Sequence, residues 1–130
     1  MQMKRLDGEI LTSLAAHEFS VLGGAIGKAI ALLSMRTDEV FHARLELPRA
    51  KAKELHSRLA GIRDEAGGVR AEVQISLSPG EIVFAMRCIN EVANTPAIPD
   101  WEFSILVGQP RVVHRQVLHE MIDHSFAIDC

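Results

Sequence analysis

LSPGEIVFAMRCINEVANTPAIPDWEFSILVG, residues 77–108, decides how the rest of the chain is read. Its opening, Ser78-Pro79-Gly80-Glu81, has the form of a helix start. The Ser78 hydroxyl can accept from the third helical N–H, Glu81 can reach back to Ser78, and Pro79 stands where no N–H is needed. Ile82, Met86, Ile89 and Val92 then recur at helical spacing, with Glu81, Arg87, Asn90 and Glu91 toward water. Asn94-Thr95-Pro96 and Ile98-Pro99-Asp100 stop the helix. Beyond them Trp101, Phe103, Ile105 and Val107 alternate with Glu102 and Ser104, which predicts a strand with one wet face.

Upstream, Val69, Ala71, Val73, Ile75 and Leu77 alternate with Arg70, Glu72, Gln74 and Ser76, a second strand pattern. Asp64 to Gly68, with Gly67-Gly68, reads as the turn before it. Nearer the start, Glu9–Leu14 reads as a short first strand, and Ala15 to about Ser34 as a helix whose apolar face is Phe19, Leu22, Ile26, Ala29, Ile30 and Leu33. Gly23, Gly24 and Gly27 interrupt that helix at up to ~1 kcal/mol each, a cost that close packing can offset. Val40–Leu47 alternates (Phe41, Ala43, Leu45 and Leu47 against His42, Arg44 and Glu46), predicting a strand. Pro48 opens a helix to about Ile62, with Ala52, Leu55, Leu59 and Ile62 inward. Pro110 opens a last helix with Val113, Val117, Leu118, Met121 and Ile122 inward. Ser125–Cys130 reads as a tail that frays unless Phe126 and Ile128 dock.

In this order the elements repeat. Residues 9–63 and 69–124 each read strand, helix, strand, Pro-opened helix, and Pro48-Arg49 and Pro110-Arg111 stand 62 residues apart in matching places. The expected fold is one α+β domain over residues 1–130, a two-layer sandwich with a four-stranded sheet and helices on one side. A doubly covered α/β sheet is the alternative.

The composition excludes several classes. A chain of 130 residues with 48% hydrophobic and 24% charged residues can bury a core without staples. Its net charge of −3 argues against nucleic acid as the main target. Two cysteines, Cys88 and Cys130, form no disulfide framework and predict a reducing, cytoplasmic compartment. Lys4 and Arg5 are offset by Asp7 and Glu9, a poor secretory start, and the apolar run Phe19–Met35 is short and carries Lys28, so no membrane association is expected.

Catalytic and cofactor patterns fail on chemistry. In Leu22-Gly23-Gly24-Ala25-Ile26-Gly27-Lys28-Ala29, a phosphate loop would need Gly at Leu22 and Ser or Thr at Ala29, and a dinucleotide fingerprint also needs Gly at Leu22. Helix packing through small residues accounts for the same glycines. His114, His119 and His124 recur every five residues, each turned by about 140° from the last, so they cannot share a metal. His17 and His42 stand on separate elements of the first half and could meet in space, which the sequence alone does not show. Cys88 lies mid-helix near Arg87 with no nucleophile elbow. Glu91, Asp100 and Glu102 could supply paired carboxylates, but solvated charges explain them equally. Arg49, Lys51, Lys53, Arg58 and Arg63 lack interleaved aromatics and read as a solvated helix face. No catalytic, cofactor or metal residue is therefore expected.

What remains is a surface. Asn90, Glu91, Asn94, Asp100, Trp101 and Glu102 surround a loop that two prolines stiffen, and an aromatic anchor rimmed with acids suits a basic protein partner. Trp101 as a simple core residue is the account placed first, and the surface reading applies if it is only partly buried.

Leu77-Ser78 with Glu81, Ile89-Asn90-Glu91-Val92, and Trp101-Glu102-Phe103 with Gly108 resemble a pattern of small uncharacterised bacterial proteins, over residues 77–122. Some of these are similar to immunity partners of bacterial toxins. The resemblance implies a non-enzymatic protein with a protein partner and carries over no site residue. The first expectation is thus a cytoplasmic protein-binding module of the toxin-neutralising kind. The alternative is a small-molecule-binding or regulatory α+β domain acting as a homodimer, its pocket between the halves near Gly23 to Gly27. An enzyme using Cys88 or a histidine ranks third.

Overall fold

The Asp7-Gly8 pair turns the chain back on itself almost at once. In the computed structural model, which describes residues 1–65 and 72–129, both take positive φ, 50° and 83°. That conformation matches the right-handed twist of two antiparallel strands. β1 (Gln2–Leu6) and β2 (Glu9–Leu14) pair with Met3 opposite Thr12, and β3 (Val73–Leu77) flanks β2 with Ile10 opposite Leu77 and Thr12 opposite Ile75. The result is a three-stranded antiparallel sheet in the order β1-β2-β3. Ile10, Thr12, Leu14, Ile75 and Leu77 are buried on one face, while Gln74 and Ser76 are exposed on the other.

Six helices complete the described fold: α1 (Ala16–Leu32), α2 (Asp38–Leu45), α3 (Arg49–Glu65), α4 (Pro79–Asn94), α5 (Asp100–Val107) and α6 (Arg111–Asp129). Two of them, α1 and α4, pack against each other at the centre, and α3 and α6 lie against α1 and α4 in turn. Phe19, Val21, Leu22, Ala25 and Ile26 on α1 and Phe84, Ala85, Ile89 and Val92 on α4 are buried in one continuous core.

The order strand, long helix, short helix, long helix occurs twice, as β2-α1-α2-α3 and as β3-α4-α5-α6. Matching residues do matching work. Glu18 accepts from the Ala15 N–H at 2.7 Å, and Glu81 accepts from the Ser78 N–H at 2.9 Å. Each short helix ends on a left-handed residue, Glu46 (φ 60°) and Gly108 (φ 87°). Arg49 and Arg111, each following a proline, fold back over the preceding short helix. Arg111 donates to the carbonyls of Ala93 (2.6 Å) and Ile98 (2.6 Å) and to the Asp100 carboxylate (2.8 Å). Arg49 donates to the carbonyls of Arg36 (2.7 Å) and Leu33 (3.3 Å) and lies 3.2 Å from Asp38. The Ala93 and Leu33 carbonyls belong to the ends of α4 and α1, where a helix leaves acceptors over, and those of Ile98 and Arg36 to the loops that follow. The short helices are exchanged between halves: α2 lies on α4, and α5 lies on α1.

Several expectations are corrected. The four-stranded sheet and the strand-helix-strand-helix halves do not occur, because Val40–Leu47 and Trp101–Val107 fall in the helices α2 and α5. In α2 the buried residues are Phe41 and Leu45, four apart, while Ala43 is exposed; in α5 they are Phe103 and Val107, while Trp101 and Ile105 are exposed. What looked like one face of a strand is divided between opposite sides of a helix. Both strand pairings are antiparallel, which removes the doubly covered α/β alternative. The first strand is β1, not Glu9–Leu14. Asp64 belongs to α3, whereas Ala66 to Gly68 of the expected turn and Val69 to Ala71 of the expected strand lie outside the described residues. The tail is not frayed as far as Asp129, since α6 continues to it, with Ile128 packed on the core and Phe126 exposed. Among the described residues no helix is long and apolar enough to cross a membrane.

Candidate functional site

α5 is a two-turn helix set between Pro99 and the left-handed Gly108. Its inner face, Phe103 and Val107, is buried on the core. Its outer face carries Trp101, 75% exposed, and Ile105, 78% exposed, one helical turn apart. Burying two such side chains against water is unfavourable to forgo by roughly 1.5–3 kcal/mol each, so an isolated pair on a stiff platform is notable. The matching positions of α2 hold Glu39 and Ala43, so the fold itself does not call for large apolar side chains there.

Of the six residues expected to form a partner surface, the structure gathers some and disperses others. Asp100, Trp101 and Glu102 share the first turn of α5. The Asp100 carboxylate is held by Arg111, yet its side chain stays 90% exposed. Asn94 lies beside Asp100 along a shallow depression of about 370 Å³ and donates to the carbonyl and side-chain oxygens of Asn90 at 2.9 and 2.8 Å. Glu91 faces α2 and pairs with Arg44, so it belongs to an internal contact. The acidic rim is therefore reduced to Asp100 and Glu102. Trp101 is not core.

A second feature lies between α1, α3 and the end of α5, a cleft of about 610 Å³. Its floor is Gly23, Gly24 and Gly27; one side carries Ser20 and Lys28, the other His56, Leu59 and Arg63, and Val107 closes one end. A Cβ on Gly24 would stand 2.9 Å from the Val107 carbonyl oxygen, and one on Gly27 would stand 2.8 Å from His56 Nε2. Those two glycines permit close approach. A Cβ on Gly23 would meet nothing within 4 Å. Residue Ile105 and the grouping of Lys28, His56 and Arg63 escaped the sequence reading. The available signal was His56 and Arg63, seven apart and so on one face of α3.

The groups tested for chemistry are scattered. Cys88 is fully buried, and that burial, with the Glu91 charge nearby, pushes its thiol well above the usual range. His114 is fully buried, edge-on to the Phe103 ring at 5.0 Å, with Nδ1 3.1 Å from the Pro110 carbonyl and Nε2 without a partner. Burial pulls its pKa down, helped by the Arg111 charge and opposed by the Pro110 carbonyl. His17, His42 and His119 are exposed. Among the described residues no group of three His, Cys, Asp or Glu side chains could hold a metal ion. The five basic residues of α3 expected on one face are divided: Lys51 is 3.8 Å from Glu54, Arg58 is 3.4 Å from Glu81 and Arg49 is drawn into the α1 end, while Lys53 and Arg63 lie on the side that faces α1.

No protein-family model, curated protein or solved structure matches the chain.

Proposed function

We propose that the chain is a non-enzymatic, cytoplasmic protein-binding module of the toxin-neutralising kind, which covers a functional surface of its partner with the outer face of α5. The observation that carries this reading is the Trp101–Ile105 pair, exposed on a helix whose ends are fixed by Pro99, Gly108 and the Arg111 hydrogen bonds. A rigid aromatic anchor loses little entropy on docking and is typical of binding hot spots. Asp100 and Glu102 beside it favour a partner with a basic rim around an apolar pocket. The raised thiol of Cys88 supports the non-enzymatic part, because the thiol form is a poor nucleophile.

The test is co-expression with the product of the adjacent gene. Wild-type protein should relieve the growth arrest that product causes, and Trp101→Ala should not, although its circular dichroism is unchanged. Equal protection by Trp101→Ala would sink the reading. So would a sizing column showing a dimer that Trp101→Ala dissociates, since the face would then belong to a second copy.

One observation favours a second reading, a ligand-binding α+β domain: the cleft over Gly23.

A further inference from the structure

The two halves provide an internal comparison. At the places where α1 has Ser20, Gly23, Gly24 and Gly27, α4 has Val83, Met86, Arg87 and Asn90. Arg87 closes the second half by pairing with Glu46 at 2.8 Å, and Arg44 and Glu91 pair across the same α2–α4 contact. The first half has neither ion pair between α5 and α1 among the described residues, and it is open. Close packing explains Gly24 and Gly27. It does not explain Gly23, where a side chain would meet open space and where glycine weakens a helix by ~1 kcal/mol relative to alanine. That residue keeps the floor of the cleft empty.

The charge around that space has one sign. Lys28, His56 and Arg63 line it, and among the described residues no carboxylate does. Lys53 extends the same side of α3 into an adjoining hollow that shares Gly27 and His56 and is likewise free of described carboxylates. Among the described residues, Lys28, Lys53 and His56 make no ion pair, and Arg63 has only a weak contact with its exposed neighbour Asp64 at 3.6 Å. In a chain of net charge −3, such a grouping of basic side chains, at most weakly paired among the described residues, stands out. The apolar share of the lining comes from Phe19, Leu59 and Val107 with the small residues Ala16, Ala31 and Ala60.

We propose that this cleft binds a small organic phosphate: Lys28, His56 and Arg63 hold the phosphate group, and the carbon body lies over Gly23 between Phe19 and Leu59. Two fixed cations, Lys28 and Arg63, and the His56 imidazole along one cleft suit a dianion with several acceptor oxygens better than a single carboxylate. The volume falls within the range of small-molecule sites and admits a ligand up to about a mononucleotide. The proposal rests on the ligand-binding reading and is independent of docking by α5.

The experiment is calorimetry and thermal denaturation of the full chain with AMP, ribose 5-phosphate and glycerol 3-phosphate, with adenosine and citrate as controls. At least one phosphate should raise the melting temperature by mass action and shift the amide resonances of Gly23, Gly24 and Gly27. Adenosine should not, and citrate should act more weakly. Lys28→Gln and Arg63→Gln, both at solvent-reached positions, should each weaken binding about tenfold or more. Gly23→Met, which copies Met86 of the other half, should remove it. Trp101→Ala should leave it unchanged, so the cleft and the α5 face fail separately. Absence of any response to the three phosphates, a response to adenosine or citrate equal to theirs, or wild-type binding by Lys28→Gln and Arg63→Gln would each overturn the proposal.

Discussion

The guanidinium carbon of Arg111 lies 4.3 Å from the centre of the Phe103 ring, and Arg49 repeats the arrangement over Phe41 at 4.9 Å. Each arginine thereby joins three things: the end of a long helix, the loop after it, and the short helix that follows. A planar guanidinium can stack on an aromatic face while its spread N–H groups reach carbonyls on separate segments, whereas a lysine ammonium is a compact point charge. Arg111→Met and Arg49→Met should each lower stability by about 2–3 kcal/mol, and Arg111→Lys should recover less than half of that loss. Urea unfolding followed by circular dichroism measures this. An Arg111→Lys protein as stable as wild type would show that charge alone suffices.

Gly23 and Gly24 are neighbours with opposite expectations. Gly23→Ala should stabilise the protein by roughly 0.5–1 kcal/mol, because helix propensity improves and the new methyl group meets nothing within 4 Å. Gly24→Ala should destabilise it by about 1–3 kcal/mol, because the methyl group would press on the Val107 backbone at 2.9 Å and push α5 outward. The difference between the two melting temperatures is the readout.

His114 makes stability pH-dependent on the acid side. Its folded pKa is lowered, so the unfolded chain takes up the proton first. Its contribution is therefore intact above the unfolded value of about 6.5 and is lost as the pH falls below it toward the folded value. His114→Asn, which keeps a donor for the Pro110 carbonyl but does not titrate, should flatten the fall in stability below about pH 6.5 while lowering stability at neutral pH. Unfolding free energies measured at a series of pH values would show it.

Cys88 should resist alkylation in the folded protein. Burial holds it as a thiol, so iodoacetamide at neutral pH should label it only after denaturant is added, as peptide mapping would detect. Trp101 should behave in the opposite way. As the only tryptophan and 75% exposed, it should be quenched by acrylamide almost as readily as free indole, and Trp101→Ala should change stability by no more than about 0.5 kcal/mol.

The sequence carried the long elements well and the short ones badly. The start of α4 was legible because capping is a local signal: the Ser78 hydroxyl accepts from the Glu81 N–H at 3.0 Å, as the residue types required. Two-turn helices are different. Phe103 and Val107 face the core while Trp101 and Ile105 face water, and over eight residues that arrangement shares its apolar positions with a strand. The deciding marks were at the ends, in Thr37, whose hydroxyl caps α2 by accepting from the Val40 N–H at 3.2 Å, and in Gly108 after α5. The Asp7-Gly8 hairpin turn was also written plainly and went unread. The α5 surface was half legible, since Trp101 could be named but not its exposure. The cleft was half legible: a pocket near Gly23 to Gly27 was expected, but its cationic side was not, because that depends on α3 lying beside the glycines of α1, a long-range relation with no local pattern.

The exchange of α2 and α5 has a further consequence. Each short helix roofs the long helix of the opposite half, so neither half possesses a complete interior. A polypeptide ending at Glu65 would expose the flank of α1 that α5 normally shelters and should remain unfolded or pair with a second fragment by barter. The intact molecule should melt in a single step, its halves locked by mutual dependence.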